Sequence, residues 1–361
     1  MTALTPNDAV YTAAVIGVGK AGSGSGTRAG GFRIGYTHAE TFQRNPRVRL
    51  TACADVNGDN LRAFMERFYV SQGFADYETM LREAKPDIVS IGTYVGLHRP
   101  MIEKAAEAGV RGILCEKPFV ASPADLKAVQ RVAQTTGVKI VVAHIRRYLP
   151  AFARARELYN DGTVGQPMMC VAGIQGWDLS EWGSHWLDMF RFFHNDQPVK
   201  WVFGQLRVRG GRGFGHAMED HGVAYFEFED GGKAVLDGGS GLNGDVTMAL
   251  LGTAGSIRVL GEDTLIIQNA MGQREERFAA NQFGGMARAW DCLLNDLIAW
   301  MDGGDAPMLG LPNVSKSAEL NLAAYISAVR GDRVDLPLND DTDEWPVEIL
   351  ARRHARSSEH E

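Results

Sequence analysis

The sequence predicts an α/β protein: an N-terminal Rossmann domain, with a doubly wound parallel sheet, followed by a C-terminal α+β domain with a large, mostly antiparallel open sheet. Three observations carry this. From Tyr11 to about Ala143, short β-branched runs alternate with amphipathic stretches, the rhythm of a parallel sheet with helices on both faces. After about Pro150, longer alternating stretches follow one another across glycine-containing turns such as Asp230-Gly231-Gly232 and Thr253-Ala254-Gly255, the rhythm of an antiparallel meander. The 361 residues, 45% apolar and 22% charged, are enough for two cores. The expected division is 1–148, 149–338 and a tail, 339–361.

Taken in order, the first strands are predicted at Ala13–Gly17, Leu50–Asp55, Asp87–Gly92, Gly112–Cys115 and Lys139–Ala143. Between them, Leu61–Phe68, Pro100–Ala108 and Pro123–Thr135 carry helical periodicity, with Ser122 before Pro123 suited to an N-cap. The second half reads as strands at Met168–Gln175, Val199–Arg209, Val223–Glu229, Lys233–Asp237, Val246–Leu251, Ser256–Leu260 and Thr264–Gln268. Helices are expected over Glu181–Phe193, Met286–Met301 and Ser315–Val329, and a frayed end over Arg352–Glu361. The glycine-rich segment Arg209–His216 is read as too flexible for a strand, a lid or a long hairpin connection.

Composition excludes several classes. With 37 Lys plus Arg against 44 Asp plus Glu the net charge is −7, and no basic run is present to neutralise a phosphate backbone, so nucleic acid is not an expected partner. No apolar run approaches the roughly 20 residues of a membrane span. Cys53, Cys115, Cys170 and Cys292 lie far apart without CxxC spacing, which fits reduced, buried thiols and no metal site. Met1 to Val10 lacks the basic and apolar regions of a secretory leader. The expectation is a soluble, cytoplasmic protein.

The chemistry begins at the first strand. Ala13-Ala14-Val15-Ile16 runs into Gly17-Val18-Gly19, where glycines permit a tight turn and let backbone N–H groups approach a pyrophosphate at a helix N-terminus. The Ser/Gly-rich stretch that follows is a poor helix start. Setting aside Lys20–Phe32 as an insertion makes Gly35 the third glycine of the motif. Asp55 then follows Gly17 by 25 residues instead of 38, close to the roughly 20 expected of the acid that binds the adenine ribose. A carboxylate there repels a 2′-phosphate and favours NAD over NADP. The fourth predicted strand ends in Glu116-Lys117-Pro118, which puts Lys117 at the carboxyl end of the sheet, where ligands bind.

At this point the sequence resembles the Gfo/Idh/MocA family, named for glucose-fructose oxidoreductase and inositol dehydrogenase. The resemblance runs to about Leu338 and rests on motifs in family order: the glycine turn with Ile34-Gly35 and His38-Ala39, Asp55, Thr93 with His98, Glu116-Lys117-Pro118, Arg146-Arg147-Tyr148 with Pro150, and Gly183-Ser184-His185 with Asp188. It implies a cofactor site with Gly17, Gly19, Gly35, Asp55, Thr93, His98, Glu116 and Lys117, and Lys117 and His185 acting on the reacting hydroxyl. The family's aspartate position carries Glu181, with Asp178 a competing candidate.

The residue types suit that chemistry independently. Removing hydride from an alcohol carbon requires the hydroxyl proton to leave as well, so a base and a nearby cation are needed. Histidine titrates near neutrality, and lysine stabilises a developing alkoxide. On a helix Glu181 and His185 share a face, where the carboxylate orients the imidazole; such a pair also suits a metal, but no third ligand follows at useful spacing. Trp177, Asp178, Glu181, Trp182 and His185 offer hydrogen bonds and stacking to a sugar ring. Arg146, Arg147 and Tyr148 either line this pocket or pair with acidic groups, and His144 stands at a strand end that could face the nicotinamide.

The expected function is an NAD-dependent dehydrogenase oxidising a secondary hydroxyl of a sugar, glycoside or cyclitol, in a homo-oligomer (dimer or tetramer) whose open sheet face is covered. The competing readings are a redox-neutral, NAD-retaining, glycoside-cleaving enzyme and a non-catalytic NAD- or sugar-sensing protein of the same fold.

Overall fold

The computed structural model describes residues 10–19, 33–174, 179–238, 246–278 and 285–358. Trp177, Asp178 and the Lys20–Phe32 insertion lie outside the described residues. Two compact units are present: Met1–Val120 with Asp125–Ala143 and Trp290–Val314, and Ala121–Ala124 with His144–Ala289 and Ser315–Glu361. Residues 290–314, inside the expected 149–338 segment, therefore cluster with the first unit.

The first unit is built on six strands, β1 (Tyr11–Ile16), β2 (Val48–Ala54), β3 (Gln72–Phe74), β4 (Ile88–Ile91), β5 (Gly112–Cys115) and β6 (Lys139–Val142). All pair in parallel in the order β3-β2-β1-β4-β5-β6, the doubly wound dinucleotide-binding arrangement. Every residue of β4 and β5 is buried, as near-continuous apolar strands covered on both faces require. The helices are α1 (Ile34–Arg44), α2 (Gly58–Phe68), α3 (Tyr77–Ala84), α4 (His98–Glu107) and α5 (Pro123–Thr136). Asn57 and Asp76 cap α2 and α3, each side chain accepting backbone N–H bonds from the first turn; such a cap stabilises a helix by about 1 kcal/mol. From the 290–314 segment, Asp302 returns to accept from Arg47 at 2.6 Å.

The second unit starts with α6 (Pro150–Asn160), β7 (Pro167–Ile174) and α7 (Ser184–Phe193). It continues through β8 (Val199–Arg207), β9 (Gly211–Gly213), β10 (His216–Met218), β11 (His221–Phe228), β12 (Lys233–Gly238), β13 (Val246–Gly252), β14 (Gly255–Leu260), β15 (Thr264–Asn269) and β16 (Gly272–Arg277). Then come α8 (Gly285–Met301) and α9 (Leu311–Arg330), which cross between the units, followed by β17 (Val334–Asp335) and α10 (Pro346–Ser358). Nine strands form one sheet in the order β16-β15-β14-β13-β7-β12-β11-β8-β17; β7 and β12 are parallel and the other pairs antiparallel. On one face Ala172, Ala224, Phe226 and Leu236 are fully buried, with Phe226 against Phe190 of α7. On the other face the register aligns Ala249, Val171, Val235, Tyr225 and Phe203 in a row across five strands, all half-buried or exposed.

Three local expectations are corrected. Arg352–Ser358 is not frayed but belongs to α10. The glycine-rich segment does contain a strand: β9 pairs with β10 across a turn at Phe214 and Gly215, both at positive φ, the turn geometry that matches strand twist. β16, Gly-Gln-Arg-Glu-Glu-Arg, escapes apolar alternation because it is an exposed edge strand, where charged side chains guard against further pairing.

Candidate active site

In the first unit the carboxyl ends of β1, β2 and β4 open onto a cleft of about 500 Å³ lined by Gly17, Gly19, Asp55, Asn57, Asp76 and Thr93, among others. Gly17 and Gly19 hold φ of +80° and +72°, the left-handed region that other L-residues avoid. A Cβ on Gly17 would stand 2.6 Å from Thr93 Cγ2, and one on Gly35 would stand 2.7 Å from the carbonyl oxygens of Gly17 and Val18. Only glycine lets the start of α1 press onto the turn this closely, and α1 has no side-chain N-cap of its own. The residues present thus fit a dinucleotide: a bare turn against an uncapped helix N-terminus suits a pyrophosphate. Asp55 Oδ2 accepts from the N–H groups of Val18 and Gly19 at 3.0 and 3.2 Å, and Oδ1 from Asn57 at 2.8 Å, so its carboxylate is fixed by the turn it faces.

The Glu-Lys-Pro segment and its surroundings divide the expected cofactor residues into two kinds. Glu116 is buried, with Oε1 3.2 Å from His38 Nε2 and Oε2 accepting the Lys117 N–H at 3.2 Å, while His38 Nδ1 meets Ser90 Oγ. Burial alone would push the Glu116 carboxyl up; His38 and Lys117 outweigh it and hold it below its usual value. His98 is wholly buried, with Nδ1 3.1 Å from the Phe119 carbonyl and Nε2 3.0 Å from that of Thr93. Through these contacts Glu116 and His98, both expected at the cofactor, tie α1, β4 and the turns at 93 and 117–119 together.

In the second unit Leu179–Gly183 forms a π-turn leading into α7, so Glu181 and His185 are not on one regular α-helix as the spacing suggested. Both are buried. The His185 ring lies edge-on to His144 at 5.9 Å and to Trp182 at 5.8 Å. Arg146 is also buried; its guanidinium rests over the rings of Trp182 and Trp186 at 5.5 and 5.0 Å and pairs with Glu262 at 2.6 Å. Its Nε has no hydrogen-bond partner among the described residues, and burial pushes its pKa down against the pull of Glu262. The two arginines have thus separated: Arg147 is bound to Asp188 through Nε at 2.7 Å and Nη2 at 2.9 Å, and to Asp196 through Nη1 at 2.9 Å.

One neighbour of Glu181 escaped the sequence reading. His216 Nε2 lies 3.5 Å from Glu181 Oε1. The only signal was a histidine closing a glycine-rich run, since nothing local reveals a partner 35 residues away.

Among the described residues, no group of three or more His, Cys, Asp or Glu is placed to hold a metal ion, and no helix is long and apolar enough to cross a membrane. The four cysteines are free thiols.

This fold and cleft define an oxidoreductase built on an NAD-binding Rossmann domain. Residues 12–144 match the family model described as Oxidoreductase family, NAD-binding Rossmann fold, and residues 152–258 match the GFO/IDH/MocA C-terminal domain. Together these take in well over half of the chain, which belongs to the Gfo/Idh/MocA family of NAD(P)-dependent oxidoreductases acting on CH–OH groups. Among its relatives, D-apiose dehydrogenase of Paraburkholderia graminis is 25% identical over 329 residues, 83% of this chain and 86% of that one. Myo-inositol 2-dehydrogenase of Thermotoga maritima is 24% identical over 264 residues, 68% of this chain and 78% of the relative. A solved levoglucosan dehydrogenase, in complex with NADH and levoglucosan, shares the fold with a TM-score of 0.75 at 20% identity, covering 91% of this chain and 100% of that one.

Proposed function

We propose that the protein is an NAD-dependent dehydrogenase that oxidises a secondary hydroxyl of a sugar or cyclitol. The observation that carries the cofactor half is the glycine cradle with Asp55 locked beside it. The named relatives, apiose and inositol dehydrogenases, support the substrate class. NAD, when bound, supplies the hydride acceptor. Gly17, Gly19 and Gly35 hold its phosphates and Asp55 the adenine ribose, with Thr93 at the same cleft. Lys117 stabilises the developing alkoxide and His185 takes the hydroxyl proton. Glu181 supports His185, and the buried Arg146 N–H offers a donor to a substrate oxygen. Trp177 and Asp178 complete the substrate-binding set.

The test is a spectrophotometric screen of purified protein with NAD or NADP against free sugars, glycosides and inositols. NAD reduction by a polyol or sugar supports the reading. Product without net NADH would point instead to the redox-neutral glycoside-cleaving alternative.

Cofactor choice gives a sharper expectation. Asp55 and Asp76 place carboxylates in a cleft whose described lining holds no Lys or Arg, so a 2′-phosphate is repelled. In Asp55→Ser, NADH binding weakens by about tenfold or more, roughly 1.4 kcal/mol, while NADPH loses less. The ratio of the two dissociation constants, from titration of nucleotide fluorescence, is the readout. An unchanged ratio removes Asp55 as the discriminating residue.

The apolar row on the sheet's second face is covered by a further copy of the chain, since uncovered apolar area of this kind marks an association surface. A light-scattering mass of two or four times 39.4 kDa is expected, and a monomer would refute it.

A further inference from the structure

We propose that Asp76 reads the base of the dinucleotide: its carboxylate accepts a hydrogen bond from the exocyclic amino group of adenine, so that the cleft selects adenine over a purine with a carbonyl at the same position. The inference rests on the reading of the cleft as a nucleotide site with Asp55 at the adenine ribose. It adds the residue that recognises the base attached to that ribose.

The topology puts the two acids side by side. β2 and β3 pair in parallel with Ala54 opposite Phe74, and the Asp55 N–H donates to the Phe74 carbonyl at 3.1 Å. Asp55 follows β2 directly and Asp76 comes two residues after β3, so both stand at the carboxyl end of the sheet, and both line the same cleft. Part of the cleft wall is apolar. Val56, Tyr94 and Leu97 line it and all three are exposed, Val56 to 93%. Large apolar side chains left open to water beside the ribose acid suit the faces of a flat heteroaromatic ring. The edge of such a ring needs a polar partner.

Asp76 has the chemistry for that edge. Its Oδ2 accepts from the Thr79 N–H at 2.8 Å and from the Thr79 hydroxyl at 2.7 Å, which fixes the carboxylate on the first turn of α3. These bonds, the hydroxyl's first, hold the carboxyl below its usual value. Near neutral pH it is therefore ionised and an acceptor only. A carboxylate offers about four lone-pair sites, so capping α3 leaves capacity for a donor from the cleft. Capping by itself does not call for a charge, since Ser, Thr and Asn serve as well. Asn60 lines the cleft too, but its amide both donates and accepts, and so does not discriminate. Adenine carries an amino donor at this position. Hypoxanthine carries a carbonyl oxygen there, whose lone pairs would face the carboxylate.

The test is titration of dihydronicotinamide fluorescence on the full chain, with NADH and with reduced nicotinamide hypoxanthine dinucleotide, in wild type, Asp76→Asn and Asp55→Ser. Wild type is expected to bind NADH more tightly by about tenfold or more, the worth of a hydrogen bond to a charged group. Asparagine keeps an acceptor for Thr79 and brings an amide N–H that can donate to the hypoxanthine carbonyl. In Asp76→Asn the ratio of the two dissociation constants should therefore fall by about fivefold or more, with urea unfolding close to wild type because the cap is retained. Asp55→Ser should weaken both nucleotides alike and leave the ratio where it was, since both carry the same ribose. Equal binding of the two nucleotides by wild type, or a ratio that Asp76→Asn leaves unchanged, overturns the role of Asp76 while the NAD reading stands. If wild type binds neither nucleotide, that reading falls and this inference with it.

Discussion

Replacing Lys117 or His185 by alanine is expected to lower kcat by about 10²- to 10⁴-fold, with the dissociation constant for NADH changed by less than threefold in the His185 variant. The size follows from the role each group has in the proposed reaction. Without a positioned base the hydroxyl proton must go to water, and acid–base catalysis by one side chain contributes about 10²–10⁴. Loss of one preorganised charge at a developing oxyanion costs about 10²–10³. His185 enters near the start of α7, in the second unit, whereas the nucleotide cleft is built from the first, which is why its removal should spare nucleotide affinity. Lys117 follows β5 and its N–H is held by Glu116, so that variant is checked for melting temperature as well as for kcat. In the proposed reaction the two residues act on one proton transfer, so the double variant should be little slower than the worse single one. Steady-state kinetics on a substrate found in the screen decide the matter. A His185→Ala enzyme with more than a tenth of wild-type kcat would remove the histidine from the mechanism.

The nucleotide half of the site was the more legible in sequence, for a physical reason. Its determinants are backbone conformation and one spaced carboxylate, both of which leave local marks: glycine at positive φ, a strand before, a helix after, and Asp55 at the next strand's end. Even the insertion between Gly19 and Gly35 could be set aside, because the close approach of Gly35 to Val18 needs glycine whatever lies between. The strands of the first sheet were visible as apolar runs except β3, three residues long at an edge. The substrate half depends on long-range pairings instead. Nothing near Glu181 indicates His216, and nothing near Arg147 distinguishes it from Arg146. Their opposite fates, one in a carboxylate cage and the other under two tryptophan rings, are decided by α7 and by the turn carrying Glu262. The π-turn at 179–183 likewise broke the simple i, i+4 argument for Glu181 and His185.

The Arg147–Asp188 pair is where the largest stability effect is expected. Side-chain exposures are 0% and 1%, and the pair is completed by Ser317 of α9, whose hydroxyl donates to Asp188 Oδ1 at 2.8 Å while accepting from Arg191 at 2.9 Å. Burial pushes the Asp188 carboxyl up, but Arg147, His144 and Arg191 pull it further down, and it lies below its usual value. Removing one partner of such a buried pair costs about 3–5 kcal/mol, because the other charge is left without compensation. Arg147→Met and Asp188→Leu should each cost that much, or roughly 2–4 °C in melting temperature per kcal/mol for a domain of 150–250 residues. The double variant Arg147→Met/Asp188→Leu is expected to recover a good part of the loss, since desolvation of two ions is no longer required; Asp196 and Arg191 remain to offset each other at 3.5 Å. The pH dependence has a definite sign. A carboxyl depressed in the folded state contributes stability that is complete above its ordinary value and is lost as pH falls through the lower folded value. Urea unfolding followed from pH 7 downward should therefore show wild type losing stability below the ordinary carboxylate range, with this component missing in Asp188→Leu. Single variants as stable as wild type, or a double variant worse than the sum of the singles, would mean that the pair does not hold α7 against the 145–148 turn as the distances indicate.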